Sequence, residues 1–191
     1  MKTLVCRLLH LALLGAVGLI AGAQELAFGQ TGNAAGQARK GGFALMEQPR
    51  LSAEAQDTLQ RINAYRAAGA LCGGQRLEPA PPLAWSPQLE QAAVKHARDM
   101  AARRAMSHTG GDGSRMRDRV ARESYAWQAL GENVSAGYST GVAGLAGWMN
   151  SPGHCRNMMS PSFREVGVGA ASAPGDTFVW YRTMVLGSPA P

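Results

Sequence analysis

The chain has 191 residues, of which 46% are hydrophobic, and 19 basic side chains outnumber 13 acidic ones for a formal charge of +6. That length accommodates one globular domain with processing segments attached, not a string of domains. Basic and acidic residues interleave between Arg98 and Glu123. This is the pattern of a solvated, partly paired face; it argues against a nucleic-acid surface and is compatible with anionic envelope polymers.

Residues 1–23 carry the marks of a secretory signal peptide. Lys2 and Arg7 form a charged start, Leu8 to Ala23 is apolar, and Ala21-Gly22-Ala23 is a small-residue cleavage site before Gln24. The apolar run, roughly 16 residues, falls short of the roughly 20 a spanning helix needs, so the mature chain is expected to have no transmembrane span. The expected location is secreted or periplasmic. Cleavage removes two basic residues and no acidic one, leaving a formal +4. Cys6 precedes the apolar run and leaves with it, so Cys72 and Cys155 remain. An even count in an exported chain favours a disulfide over free thiols or metal ligands. Closing a loop of roughly 80 residues contributes about 4 kcal/mol in the chain-entropy model.

Residues 24–50 are rich in Gly, Gln and Ala and offer too little apolar surface to offset ordering, which predicts a flexible leader. The domain, 51–191, begins with a helix capped by Ser52, with Leu59, Ile62 and Tyr65-Arg66 at helical spacing until Gly69. Cys72-Gly73-Gly74 and the proline run Glu78 to Pro82 predict a loop, pinned to the core by Leu83 and Trp85. Ser86-Pro87 opens the clearest helix, which runs to about Arg104 with Leu89, Ala92-Ala93, His96-Ala97 and Met100-Ala101 on one face. A short basic helix follows over Ser114 to Arg122, with Met116 and Val120 inward. Thr140 to Asn150 forms a Gly-rich helix that Pro152-Gly153 stops, which would deliver His154 at the mouth of a turn. Glu165 to Ala173 and Thr177 to Leu186 read as two strands of a hairpin. Helices first and a closing hairpin, with no βαβ alternation, predict an α+β fold with a small antiparallel sheet covered by helices.

Three residues stand in contexts suited to display: His108 after Ser107, Glu132 after Gly131, and His154 after Pro152-Gly153. Two imidazoles and a carboxylate can bind zinc and leave a position for water, or can share acid–base work. No HExxH pattern fixes two of them on one helical face, so convergence depends on the fold. Each of the three can also serve only to hold a loop, and Glu132-Asn133 reads equally as a turn. His96, on the packed face of the long helix, reads as a buried hydrogen-bonded histidine. Gly137-Tyr138-Ser139-Thr140-Gly141 matches G-x-S-x-G, but no acid lies between Ser139 and His154, so a hydrolase triad in the required order is excluded.

The ordered set Ser107-His108-Thr109, Gly131-Glu132-Asn133, Trp148 to Asn157 and Val166-Gly167-Val168-Gly169 resembles the CAP superfamily of cysteine-rich secretory, antigen 5 and pathogenesis-related proteins. The resemblance covers about Leu51 to Leu186, and the Ser-Pro-Gly-His form resembles the bacterial secreted branch. It implies a three-layer α-β-α sandwich whose cleft carries His108, Glu132 and His154, with a divalent metal such as zinc in some members. Many eukaryotic members carry a second glutamate where this chain has Ser151, which removes a potential ligand or base. The family is linked to lipid binding, signalling, defence and proteolysis, so the resemblance implies no single activity. The reading that follows favours a binding module over an enzyme. Its partner is a small molecule, lipid or cell-envelope component, with His108 and His154 as candidate metal ligands. A metal-assisted peptide or ester hydrolase and a purely structural domain are the alternatives.

Overall fold

The computed structural model describes residues 51–191. The expected signal peptide, Cys6 and the leader lie outside the described residues. Helix α1 (Ala53–Ala68) begins where the Ser52 hydroxyl accepts the Ala55 amide at 3.1 Å. It leads into a hairpin, β1 (Ala70–Cys72) and β2 (Gln75–Leu77), and then a two-residue strand, β3 (Ala84–Trp85). Helix α2 (Pro87–Arg103) starts on a Ser86 cap with proline in its first turn, as its sequence predicts. After the short α3 (Met116–Arg122) come β4 (Trp127–Ala136), α4 (Gly141–Asn150), α5 (Pro152–Met159), β5 (Glu165–Ser172) and β6 (Trp180–Pro189).

The four-stranded sheet has the order β3-β5-β6-β4. The predicted antiparallel sheet is therefore corrected to a mixed one, because β3 pairs parallel to β5. Successive side chains of β6 point to opposite faces, and this divides the core. Met184 and Leu186 pack with Ile62, Trp148 and Met158 from α1, α4 and α5, while Val185 packs with Leu89, Ala92 and Ala93 of α2. The result is a sheet between helical layers, the α+β sandwich expected from the motifs. Glycines on β5 let α2 lie directly on the sheet. A Cβ on Gly167 would stand 2.0 Å from the Glu90 amide nitrogen, and one on Gly169 2.3 Å from that of Val94. This contact explains why Val166 and Val168 alternate with glycine.

Four local expectations are corrected. Cys72-Gly73-Gly74 is the tip of the β1–β2 hairpin, with Gly73 and Gly74 both at positive φ, the geometry two-residue hairpins favour. Glu132 and Asn133 lie within the long strand β4 instead of a turn. Pro152 stops α4 as expected, with Ser151 extended before it, but it also opens α5 at a position whose amide needs no partner. His154 thus sits in the first turn of a helix, not at the mouth of a turn. The closing hairpin forms as expected, but its second strand begins at Trp180, not Thr177, and runs to Pro189. Cys72 and Cys155 are bonded, with Cα atoms 5.5 Å apart at a sequence separation of 83.

Candidate functional site

Strand β4 carries Glu132 inward, and the loop after α2 brings His108 over it. His108 Nδ1 lies 2.9 Å from Glu132 Oε1. The other carboxylate oxygen accepts from Arg119 Nη2 at 2.6 Å. The Glu132 and Arg119 side chains are only 4% and 8% exposed, whereas that of His108 is 60% exposed. Arg119 also donates to the Ser114 carbonyl at 2.9 Å and the His108 carbonyl at 3.2 Å. One buried guanidinium thereby fixes both the carboxylate and the backbone of the histidine that the carboxylate orients.

His154 is tied to the same strand through its backbone. Its carbonyl accepts from Asn133 Nδ2 at 3.1 Å, and Asn157 Nδ2 donates to Asn133 Oδ1 at 2.9 Å. Its ring nitrogens have no hydrogen-bond partner among the described residues. The ring is half-buried, and its pKa lies below the ordinary imidazole value, through burial first and the charge of His108 second. His96 is fully buried, as its place on α2 predicts. Its Nε2 donates to the Ser107 carbonyl at 2.8 Å, so it anchors the loop that presents His108.

Among the described residues, no three His, Cys, Asp or Glu groups stand where they could share one metal ion. Glu132, expected in the cleft beside the two imidazoles, stands within hydrogen-bond reach of His108 and Arg119. Its oxygens are engaged by His108 and Arg119, which makes it an orienting group behind His108. The donors left for a metal are the His108 and His154 rings. The sequence reading missed Arg119, Asn133 and Asn157. Arg119 had a usable signal, since Met116, Arg119 and Val120 follow the i, i+3, i+4 spacing of one helix face. The two asparagines had none, because their partners are backbone and side-chain groups remote in sequence.

Residues 59–185 match the family profile described as CAP: Cysteine-rich secretory protein family. The chain is 30% identical over 87 residues to YlbC of Bacillus subtilis, described as an uncharacterized membrane protein, covering 46% of this chain and 25% of that one. Among solved structures it is similar to an extracellular SCP-domain protein of Bacillus anthracis. That match has 27% identity and a TM-score of 0.54, and covers 74% of this chain and 45% of the other. The fold is also that of an outer surface protein of Borrelia burgdorferi, with TM-score 0.56, 16% identity, and coverage of 71% of this chain and 95% of the other. The chain spans about a quarter or less of the length of the curated relatives it matches.

Proposed function

The chain belongs to the cysteine-rich secretory protein (CAP) family, and from that premise we propose that it is an exported binding module. Its cleft, built on His108, Glu132 and His154, engages a small ligand, a divalent metal ion or a cell-envelope component. The extracellular and outer-surface descriptions of the two similar structures support the location. The observation that carries the reading is the Arg119–Glu132–His108 relay. A buried ion pair contributes little net stability compared with apolar packing, yet here one is aligned behind a single exposed imidazole. Such backing fixes the tautomer and direction of a ring that must meet something from solvent.

Two imidazoles with a carboxylate behind one of them fit a borderline metal such as zinc, although with fewer protein ligands than a structural site uses. His108 and His154 would hold the ion, and it would supply a Lewis-acid centre with open positions for ligand or water. The hydrolase alternative needs a free general base. Glu132 already accepts from two cationic or ring donors, and Ser151 stands where a second acid would, so the binding reading is preferred.

Calorimetric titration with zinc tests the metal branch. Wild-type protein is expected to bind one ion, His154→Ala to lose that binding, and Glu132→Gln to weaken it by about 10- to 100-fold, the usual cost of losing an orienting partner. Indistinguishable isotherms for wild type and His154→Ala would remove metal from the proposal. Because His108 is exposed, His108→Ala is expected to leave the melting temperature unchanged. A large drop there would instead favour the structural reading.

A further inference from the structure

A cavity of about 520 Å³ lies apart from the His108–Glu132–His154 cleft and shares none of those residues. It runs along the free edge of β5, between the N-terminal turns of α1 and α4 and the outer face of α2, with Trp85, Trp148 and Trp180 on its walls. Its volume is that of an ordinary ligand site.

One wall is an unpaired strand edge. The Ser86 amide donates to the Val166 carbonyl, so Val166 turns its backbone groups toward β3. Strand β3 has only two residues and ends beside Val166. Val168 and Ala170, at the same parity on β5, turn their N–H and C=O groups the same way, beyond the end of β3. Neither residue has a partner on that edge among the described residues, and both line the cavity. Edge groups of this kind are a template for a further strand.

Beside that edge, on the strand paired with it, lies a buried cation with only a distant, exposed anion. Arg182, on β6, is 4% exposed. Its guanidinium has one long hydrogen bond, from Nε to the Tyr138 carbonyl at 3.4 Å. The nearest carboxylate oxygen, Glu54 Oε1, is 3.9 Å from Nη1 on a side chain that is 74% exposed. The ring of Trp180 lies 5.5 Å from the guanidinium carbon. The first turn of α4 stands over the same group, since a Cβ on Gly141 would be 3.9 Å from Nη1. The positive end of a ten-residue helix and a desolvated guanidinium thus lie side by side at the cavity wall, an arrangement that favours an anion in the adjoining space. Arg98, exposed on α2, lines the same space and has no ionic partner among the described residues.

We propose that this cavity binds an extended peptide segment bearing a carboxylate. The peptide backbone adds to the β5 edge at Val168 and Ala170, and the carboxylate meets Arg182 and the α4 N-terminus. A lipid or a free anion would satisfy Arg182 but leave the edge groups unpaired; a peptide strand satisfies both. The carboxylate is either a chain terminus or an acidic side chain.

The test uses the mature secreted protein and three N-acetylated valine/threonine hexapeptides: one with a free C-terminus, one amidated with an internal glutamate, and one amidated with glutamine in its place. At least one carboxylate peptide is expected to bind about 10-fold or more tighter than the glutamine peptide, as loss of a charge-assisted bond predicts. The amide signals of Val168 and Ala170 should shift and exchange more slowly. Arg182→Met should lose the preference for the carboxylate. Ala170→Pro removes one edge donor without touching the β5–β6 ladder and should weaken binding by about 10-fold. Should Arg182→Met fail to fold, Ala170→Pro and the glutamine peptide decide. Equal binding of all three peptides, unchanged affinity in Ala170→Pro, or no binding at millimolar peptide overturns the proposal. So does hexanoate or inorganic phosphate binding as tightly as the peptides, since that would make the cavity an anion pocket only.

Discussion

Two buried arginines do different work in this chain. Arg66 is fully buried and donates to the carbonyls of Pro81, Met158 and Ser160 at 2.7, 2.7 and 3.0 Å. It ties α1 to the proline loop and to the C-terminal end of α5, where unpaired carbonyls favour a cation. Arg66→Met is expected to lower stability by about 3 kcal/mol, because several buried carbonyls lose their donor together; chemical denaturation measures it. Arg119 instead compensates Glu132. Arg119→Met leaves a buried carboxylate without its buried cation, held only by the exposed His108, and should cost about 3 kcal/mol. The double variant Arg119→Met/Glu132→Gln should recover part of that loss. If the two losses simply add, the pair is not coupled. At this scale His108, Glu132 and His154 were legible because motifs flank them. The roles were not legible, since whether a carboxylate ligates a metal or orients a ring depends on angles set by distant backbone.

Helix α2 lies close on β5, and the sequence record of that approach is the alternation of valine and glycine. Gly167→Ala would place a methyl 2.0 Å from helix backbone that has no rotamer with which to yield. The expected loss is about 3 kcal/mol or more, read from the thermal midpoint. A near-neutral result would mean that α2 can lift from the sheet. Helices α1, α2 and α4 were readable from caps and periodicity, because those signals are local. Strand β4 was not, because Glu132, Asn133 and Ser135 are polar residues buried in it; the partners of Glu132 and Asn133 come from other elements, and the apolar alternation that announces a strand is missing. Helix α5 was hidden by its proline, which sits at the one helical position where it is harmless.

For the molecule as a whole, the Cys72–Cys155 bond joins the β1–β2 hairpin to α5, which bears His154. Its reduction should lower stability by about 4 kcal/mol, given the long loop it closes; urea midpoints with and without reductant check this. Acid should also weaken the fold early. The His96 pKa is held below the ordinary value by burial and then by the charge of Arg119, against smaller opposing effects of Glu132, the Ser107 carbonyl and Asp99. His154 is lowered as well. The unfolded chain therefore takes up these protons first as pH falls. The histidine contribution is complete above about pH 6.5 and declines below it. The carboxyl of Asp99 is itself lowered by Arg103, so it does not titrate in this window. Unfolding midpoints should fall between pH 7 and pH 5, and His96→Gln should flatten that slope; parallel slopes would contradict it. The sequence alone determined the helix caps, the cysteine pair and the motif order that marks the family, because these are written in neighbouring residues or in composition. Tertiary structure decided that the sheet is mixed, that Glu132 stands behind His108, and that Arg182 and the β5 edge share a cavity. Each of those depends on groups far apart in the chain, whose meeting no local pattern encodes.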